Sequence, residues 1–283
     1  MKNRWALAGG FFLLLICVSG LFAPWLTSYS FHFQDMNQVL ISPNIHHWFG
    51  TDSLGRDLYT RILFGARVSL GVGIVSSLIS LFVGSFYGLI SGFIGGRADT
   101  ILMRAVDVFQ ALPPLVLMIL VSVIFSSLQV FEGSELLRDT LGMIMALSLV
   151  GWVGVARMVR GQVLLVRELP FIEAARAAGA KSMWIMLKHI LPQLSGSLIV
   201  IFTYLVPSQI LFESFLSFIG LGLQPPYSSW GVLASEGWRS FRTYPHLILF
   251  PGMAIFLTML SSQFLGDGLR DVFDPRFRAE ERL

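Results

Sequence analysis

The sequence predicts an all-α membrane protein with six transmembrane helices, and three observations carry the prediction. The 283 residues are 54% hydrophobic and only 13% charged, with a mean hydropathy of +0.71. A water-soluble domain carries roughly 25% charged residues, which favours an integral membrane protein, and a disordered chain is poor in apolar residues, which excludes disorder. Apolar stretches of about 20 residues or more recur along the chain, each long enough to cross a hydrocarbon core about 30 Å thick as a helix. Basic residues collect on alternate loops, as a helical topology with one cytoplasmic face requires.

The first stretch, about 5–26, follows Met1-Lys2-Asn3-Arg4. A basic start before an apolar run also describes a secretory signal, but that hydrophobic region is typically about 7–15 residues. This one is longer and is read as an uncleaved span with its N-terminus in the cytoplasm. The other five lie at about 68–95, 101–128, 139–158, 197–222 and 247–266. Lipid supplies no hydrogen-bond partners to the backbone, so continuous apolar runs of this length are helices. This topology places Lys2, Arg4, Arg97, Arg104, Arg157, Arg160, Arg167, Arg176, Lys181 and Lys188 on the cytoplasmic side, with Arg270, Arg276, Arg278 and Arg282 of the tail. It leaves Arg56, Arg61, Arg67, Arg138, Arg239 and Arg242 outside. Both termini are then cytoplasmic. The chain divides into an N-terminal helix and extracytoplasmic segment (1–64), a transmembrane domain (65–267) with a cytoplasmic loop at about 159–195, and a cytoplasmic tail (268–283).

Within this frame several residues stand out. Gly84, Gly88, Gly92 and Gly96 recur every four positions and share a helix face; small residues there let a second helix approach closely, as bundle packing or beside a translocation path. Arg104 and Asp107 are three apart and are expected to pair. Pro113-Pro114 must break or kink the third span, either as a cavity-lining break or as a packing bend. Glu213 is the most costly residue in the fifth span and is expected to face the bundle interior, as path or gate lining or as a satisfied structural carboxylate. His46 and His47 are too few for a metal site and are expected in a solvated loop. The lone Cys17 sits in an apolar run and can form no disulfide within the chain.

The cytoplasmic segment is the most informative. In Arg167-Glu168-Leu169-Pro170-Phe171-Ile172-Glu173-Ala174-Ala175-Arg176-Ala177-Ala178-Gly179, Pro170 suits a first helical turn, the Ala and Glu residues favour helix, and Gly179 suits a left-handed stop. Ser182 is expected to cap a second helix, which Pro192 ends or kinks. The predicted product is a helix–turn–helix whose Ala-rich first helix is thin enough to enter a groove on another protein.

These residues resemble a known family. Glu173-Ala174-Ala175, then Gly179, then Leu191-Pro192 are similar to the EAA loop of ABC import permeases, with His189 where the family usually has an apolar residue. Phe49-Gly50-Thr51-Asp52-Ser53-Leu54-Gly55-Arg56-Asp57, followed by Gly65-Ala66-Arg67-Val68-Ser69-Leu70, resembles a hallmark of the oligopeptide, dipeptide and nickel branch. So do Ser217-Phe218-Ile219-Gly220-Leu221-Gly222-Leu223 with Pro225-Pro226 and Trp230-Gly231, and the tail Gly266-Asp267-Gly268-Leu269-Arg270-Asp271 with Asp274-Pro275-Arg276. The pieces cover most of the chain in order and most resemble the C-type permease subunit.

The resemblance implies a type I importer (MetI-like) permease fold in a bacterial inner membrane. It implies a homologous B-type permease, two cytoplasmic ATPase subunits and an extracytoplasmic solute-binding protein as partners, and no nucleic acid. Glu173, Ala174, Ala175, Gly179, Leu191 and Pro192 would then carry the ATPase contact. Peptide is the implied cargo, with nickel or another small solute as the alternative. The chain itself has no G-x-x-x-x-G-K-[ST] phosphate loop, so ATP would be bound by the partner subunits, and no H-E-x-x-H or G-x-S-x-G enzyme motif. An intramembrane enzyme lacks an obvious base, and a secondary transporter would show internal repeats.

Overall fold

A computed structural model describes residues 4–128 and 134–273. Lys2, the tail basic residues from Arg276 onward and the Asp274-Pro275-Arg276 motif lie outside the described residues. Among those described, five helices are long and apolar enough to cross a membrane, and a bent pair makes a sixth crossing if taken as one span.

The first span is α1 (Arg4–Leu21), followed by a short turn of helix, α2 (Ala23–Leu26). An irregular outer segment with one 3-10 turn at Met36–Gln38 leads to α3 (Leu58–Ile94). Asp57 caps α3 by accepting from the Thr60 backbone N–H at 2.8 Å. This helix begins ten residues before the expected stretch. Its 37 residues extend about 55 Å at 1.5 Å per residue, well beyond a hydrocarbon core of about 30 Å. The early arginines, Arg61 and Arg67, fall within its first ten residues. Arg67 donates to the carbonyls of Gly20 (2.6 Å) and Leu21 (2.5 Å), satisfying the open end of α1.

The third apolar stretch is two helices, α4 (Gly96–Ala111) and α5 (Pro114–Ser127), meeting at 85°. Leu112 and Pro113 adopt extended backbone at the corner, where a proline disfavours α geometry in the residue before it. A long α6 (Glu135–Val166) follows, then the cytoplasmic α7 (Pro170–Ala177) and α8 (Ser182–Ile185). A π-turn, Met186–Ile190, joins α8 without a break to α9 (Leu191–Phe218). The outer return contains a helix the sequence reading did not foresee, α10 (Trp230–Trp238), and α11 (His246–Phe273) completes the described bundle. The first residues of the expected tail, 268–273, are still part of α11.

Among the described residues the α3–α6 seam is the most extensive helix contact. A Cβ added to Gly84 would lie 2.6 Å from Val155 Cβ, and one on Gly92 2.8 Å from Val163 Cβ. One on Gly88 would lie 2.9 Å from the Arg160 backbone nitrogen. Gly96 departs from the stripe: α3 ends at Ile94, Gly96 has φ +58°, and a Cβ there would meet nothing within 4 Å. Gly95, with φ +70°, turns the chain first, so the four-residue period outlasts the helix. The expected Arg104–Asp107 pair also gives way: Asp107 pairs instead with Arg157 of α6, at 2.6 Å. The seam closes at the cytoplasmic end with Arg160 forking onto Asp99, both bonds 2.6 Å, and Arg167 donating to the Gly92 carbonyl at 2.8 Å.

Candidate functional site: a cytoplasmic elbow and an extracytoplasmic knot

The cytoplasmic elbow is built from α7 outward. Pro170 occupies the first turn, and the Leu169 carbonyl accepts from the Ile172 N–H at 2.9 Å. Ile172 is the helix's anchor. It is fully buried against a cluster that includes Val163, Ile185, Ile190 and Leu194 from the flanking helices. The rest of α7 faces out: Phe171, Glu173, Ala174, Arg176 and Ala177 are exposed and Ala175 is half-buried. Glu173, in the first turn, sits where a negative charge favours the helix dipole. The Arg176 guanidinium lies 5.3 Å above the Phe93 ring, tying α7 to the end of α3.

Gly179 ends the helix with φ +81°. Its N–H donates to Arg176 O at 2.9 Å and that of Ala180 to Ala175 O at 3.1 Å, the paired bonds of a Schellman stop that requires a left-handed residue. Two local expectations fail. The residue before α8 is Lys181, with no side-chain cap, so Ser182 begins the helix rather than capping it. Pro192 does not end the helix, which runs on through it into α9. The preceding turn is π, with the Leu191 N–H bonded to Met186 O; the wider turn accommodates a proline that lacks an N–H and would crowd the residue four before it. Leu191 is half-buried and Pro192 exposed.

Glu213 is fully buried. It accepts from Ser217 Oγ at 2.8 Å, Ser69 Oγ at 2.9 Å and Ser214 Oγ at 3.4 Å. Ser69 Oγ in turn accepts the Trp230 backbone N–H at 3.1 Å, so this carboxylate joins α9, α3 and the start of α10. A cavity of about 620 Å³ lies between α6, α9 and the end of α11, with Gly151, Gly154, Gln162, Ser197, Tyr204 and Arg270 among its walls. Glu213, Pro113 and Pro114 are not on that wall. Pro114 lines a smaller cavity of about 160 Å³ with Phe109, Leu117 and Val150.

The outer hallmark folds into a knot. Gly50 and Gly55 take φ +80° and +70°, and a Cβ on Gly55 would strike the Asp35 backbone. Asp52 Oδ1 accepts from the backbone N–H groups of Leu54 (2.8 Å) and Arg56 (3.0 Å). Its Oδ2 accepts from Arg56 Nε (2.6 Å) and Arg61 Nη1 (2.7 Å). Both guanidiniums also reach Glu236 of α10, Arg61 at 2.5 Å and Arg56 at 3.2 Å. Both arginines are buried, Arg61 to 1% exposure. His47 is buried too, contrary to the solvated loop expected of it: it bonds Asp57 at 2.9 Å and Gln38 at 2.6 Å. His46 remains exposed. Among the described residues no group of three or more His, Cys, Asp or Glu side chains could hold a metal ion.

Glu236 is the site residue the sequence reading passed over. Its signal was Ser229 just before the apolar run Trp230-Gly231-Val232-Leu233, an N-cap pattern. Ser229 Oγ does accept the Val232 N–H, at 3.3 Å.

The family described as binding-protein-dependent transport system inner membrane component matches residues 62–279. The chain belongs to that family. A second family, the N-terminal TM domain of oligopeptide transport permease C, matches residues 1–43 of this permease. The permease is 42% identical over 287 residues to the dipeptide transport system permease protein DppC of Bacillus subtilis (strain 168), covering 98% of this chain and 83% of that protein. It is 41% identical over 280 residues to the oligopeptide transport system permease protein OppC of Escherichia coli (strain K12), covering 98% and 89%. The glutathione transport system permease protein GsiD of Escherichia coli O6:K15:H31 (strain 536 / UPEC) is 38% identical over 278 residues, covering 98% and 88%.

Among solved structures, a chain of the MetNI methionine ABC transporter in an inward facing conformation aligns with a TM-score of 0.60 at 18% identity, over 77% of this permease and 96% of that chain. A chain of an amino acid ABC transporter aligns at 0.51 and 15% identity, over 80% and 94%. At these identities the likeness establishes the fold. The protein is therefore a multi-pass permease subunit of the bacterial inner membrane. It is not itself the ATPase, and a binding-protein-dependent system implies further subunits around it.

Proposed function

We propose that this permease is the C-type half of the translocation path of a peptide importer, for oligopeptides or dipeptides. It pairs with a homologous B-type permease, two cytoplasmic ATPase subunits and an extracytoplasmic solute-binding protein. The relatives that match it over nearly its whole length are named for dipeptide, oligopeptide and glutathione transport, which supports peptide over nickel.

The observation that carries the reading is α7. It is short, held by one buried side chain, stopped by Gly179, and exposed at Glu173, Ala174, Arg176 and Ala177. An Ala-rich helix gains little by facing water, and its narrow profile fits a groove on an ATPase subunit. ATP-driven closure would move α7. Ile172 and the unbroken run through α8, the π-turn and α9 would carry that motion into the membrane. Glu173, Ala174, Ala175 and Gly179 form the docking face in this reading, and Leu191 and Pro192 form the hinge-free link. Gly84, Gly88 and Gly92 keep α3 and α6 together as they move. Glu213 is a structural carboxylate joining three helices, and the corner at Pro113 and Pro114 borders the moving bundle.

Glu173→Lys tests this in the reconstituted complex with peptide-loaded binding protein. Stimulated ATPase activity and uptake are expected to collapse while insertion and subunit yield stay unchanged. Unchanged stimulation and uptake would remove α7 from the coupling role.

A further inference from the structure

We propose that Glu236 is a positioning residue for transport, clamping α10 to the outer motif so that the segment 35–57, the start of α3 and α10 move as one rigid unit. The proposal rests on the importer reading and adds a moving part to it.

The clamp has two ends, and both return to the first turns of α3. At the far end of α10, Glu236 receives Arg61 Nη1 at 2.5 Å and Arg56 Nη2 at 3.2 Å. At the near end, the Trp230 indole N–H donates to Ile62 O at 3.1 Å and its backbone N–H to Ser69 Oγ at 3.1 Å. Between these ends, Trp230 and Leu233 are buried in one cluster with Leu58 and Ile62.

Charge explains why Glu236 matters more than its neighbours. Arg56 and Arg61 are balanced by Asp52 and Glu236, and without Glu236 two buried guanidiniums would share one carboxylate. Separating a buried, hydrogen-bonded ion cluster leaves uncompensated charge, which is strongly unfavourable. The void between Asp52, Ser53, Glu236, Gly237 and Ser240 is about 10 Å³, at the lower limit for one water. Glu236 keeps 27% of its side-chain surface exposed, whereas Arg61 at 1% and Arg56 at 3% are closed off, so water that reaches the carboxylate side gains little access to the two guanidiniums. Because Ser69 also donates to Glu213, α10 is joined to α9. A push on the outer segment from a protein delivering solute to this face therefore reaches α10 and α9 together.

The test uses the complete reconstituted complex carrying Cys17→Ser, with Ser53→Cys and Ser240→Cys placing one thiol on each side of the void. Uptake of dialanine and pentaalanine into proteoliposomes is measured before and after cross-linking with a short, reducible bis-thiol reagent. Efficient cross-linking with uptake held within about twofold of the Cys17→Ser parent is expected, because nothing in the cycle separates the two elements. Uptake that stops on cross-linking and returns on reduction overturns the proposal. Failure to cross-link does the same, since the elements would then not sit together.

Glu236→Gln supplies the second arm. It is expected to lower uptake and binding-protein-stimulated ATPase about tenfold, and Glu236→Asp is expected to recover part of the loss. Parental uptake by Glu236→Gln overturns the proposal. A Cys17→Ser parent that transports neither peptide overturns the peptide reading and the clamp with it, whereas a transporting parent isolates the clamp.

Discussion

The two faces of this permease are built on opposite principles. The extracytoplasmic knot buries its charges: Asp52, Arg56 and Arg61 are each at or below 5% exposure, and two glycines with positive φ fold the loop over them. The cytoplasmic elbow exposes its charges, and its first helix, α7, buries only Ile172. The charges of the knot are satisfied within the chain, whereas the elbow leaves a thin helix uncovered, the helix proposed above to meet an ATPase subunit. Substitutions in the two places should therefore differ in kind.

The sharpest break of that contrast is Arg61→Ala. It leaves Asp52 and Glu236 with Arg56 alone between them and is expected to cost about 3–5 kcal/mol, read as a large fall in the thermal midpoint of the purified subunit in detergent. A midpoint equal to the parent would mean the knot is not the stabilising face. Next is Ile172→Ala, expected to cost about 2–5 kcal/mol locally. It should free α7 without unfolding the bundle, so a cysteine reporter at Ala177 should gain reactivity while the global midpoint moves little. The smallest effect is expected from Gly179→Ala, about 1 kcal/mol from placing a Cβ at φ +81°. It should shorten or fray α7 and weaken binding of the ATPase subunit without altering yield. Equal binding by this variant would show that docking tolerates a loosened helix stop.

Much of this was legible beforehand because membrane insertion and helix signals are local. Apolar runs of sufficient length gave α1, α6, α9 and α11 their places, and Pro170 and Gly179 marked both ends of α7. The misreadings each came from a contact with something distant. Arg104 and Asp107 are neighbours on α4, yet Arg157 of α6 takes the aspartate. His47 lies in a polar loop, yet folding places it between Gln38 and Asp57. Gly96 keeps the four-residue period, but Gly95 has already turned the chain away from α6. Pro192 reads as a breaker by its chemistry, and only the π-turn before it makes the helix continuous.

The sequence by itself determined the class of protein, the apolar stretches, the loops in which basic residues gather and the two ends of α7. These follow from hydropathy, charge and backbone propensity, which act over one or a few turns. The tertiary structure alone decided which charges pair, that the third stretch bends by 85°, and that Glu236 reaches back across 175 residues to Arg61. Such pairings depend on which surfaces the packed helices bring within hydrogen-bond distance, and no local pattern in the chain encodes that distance.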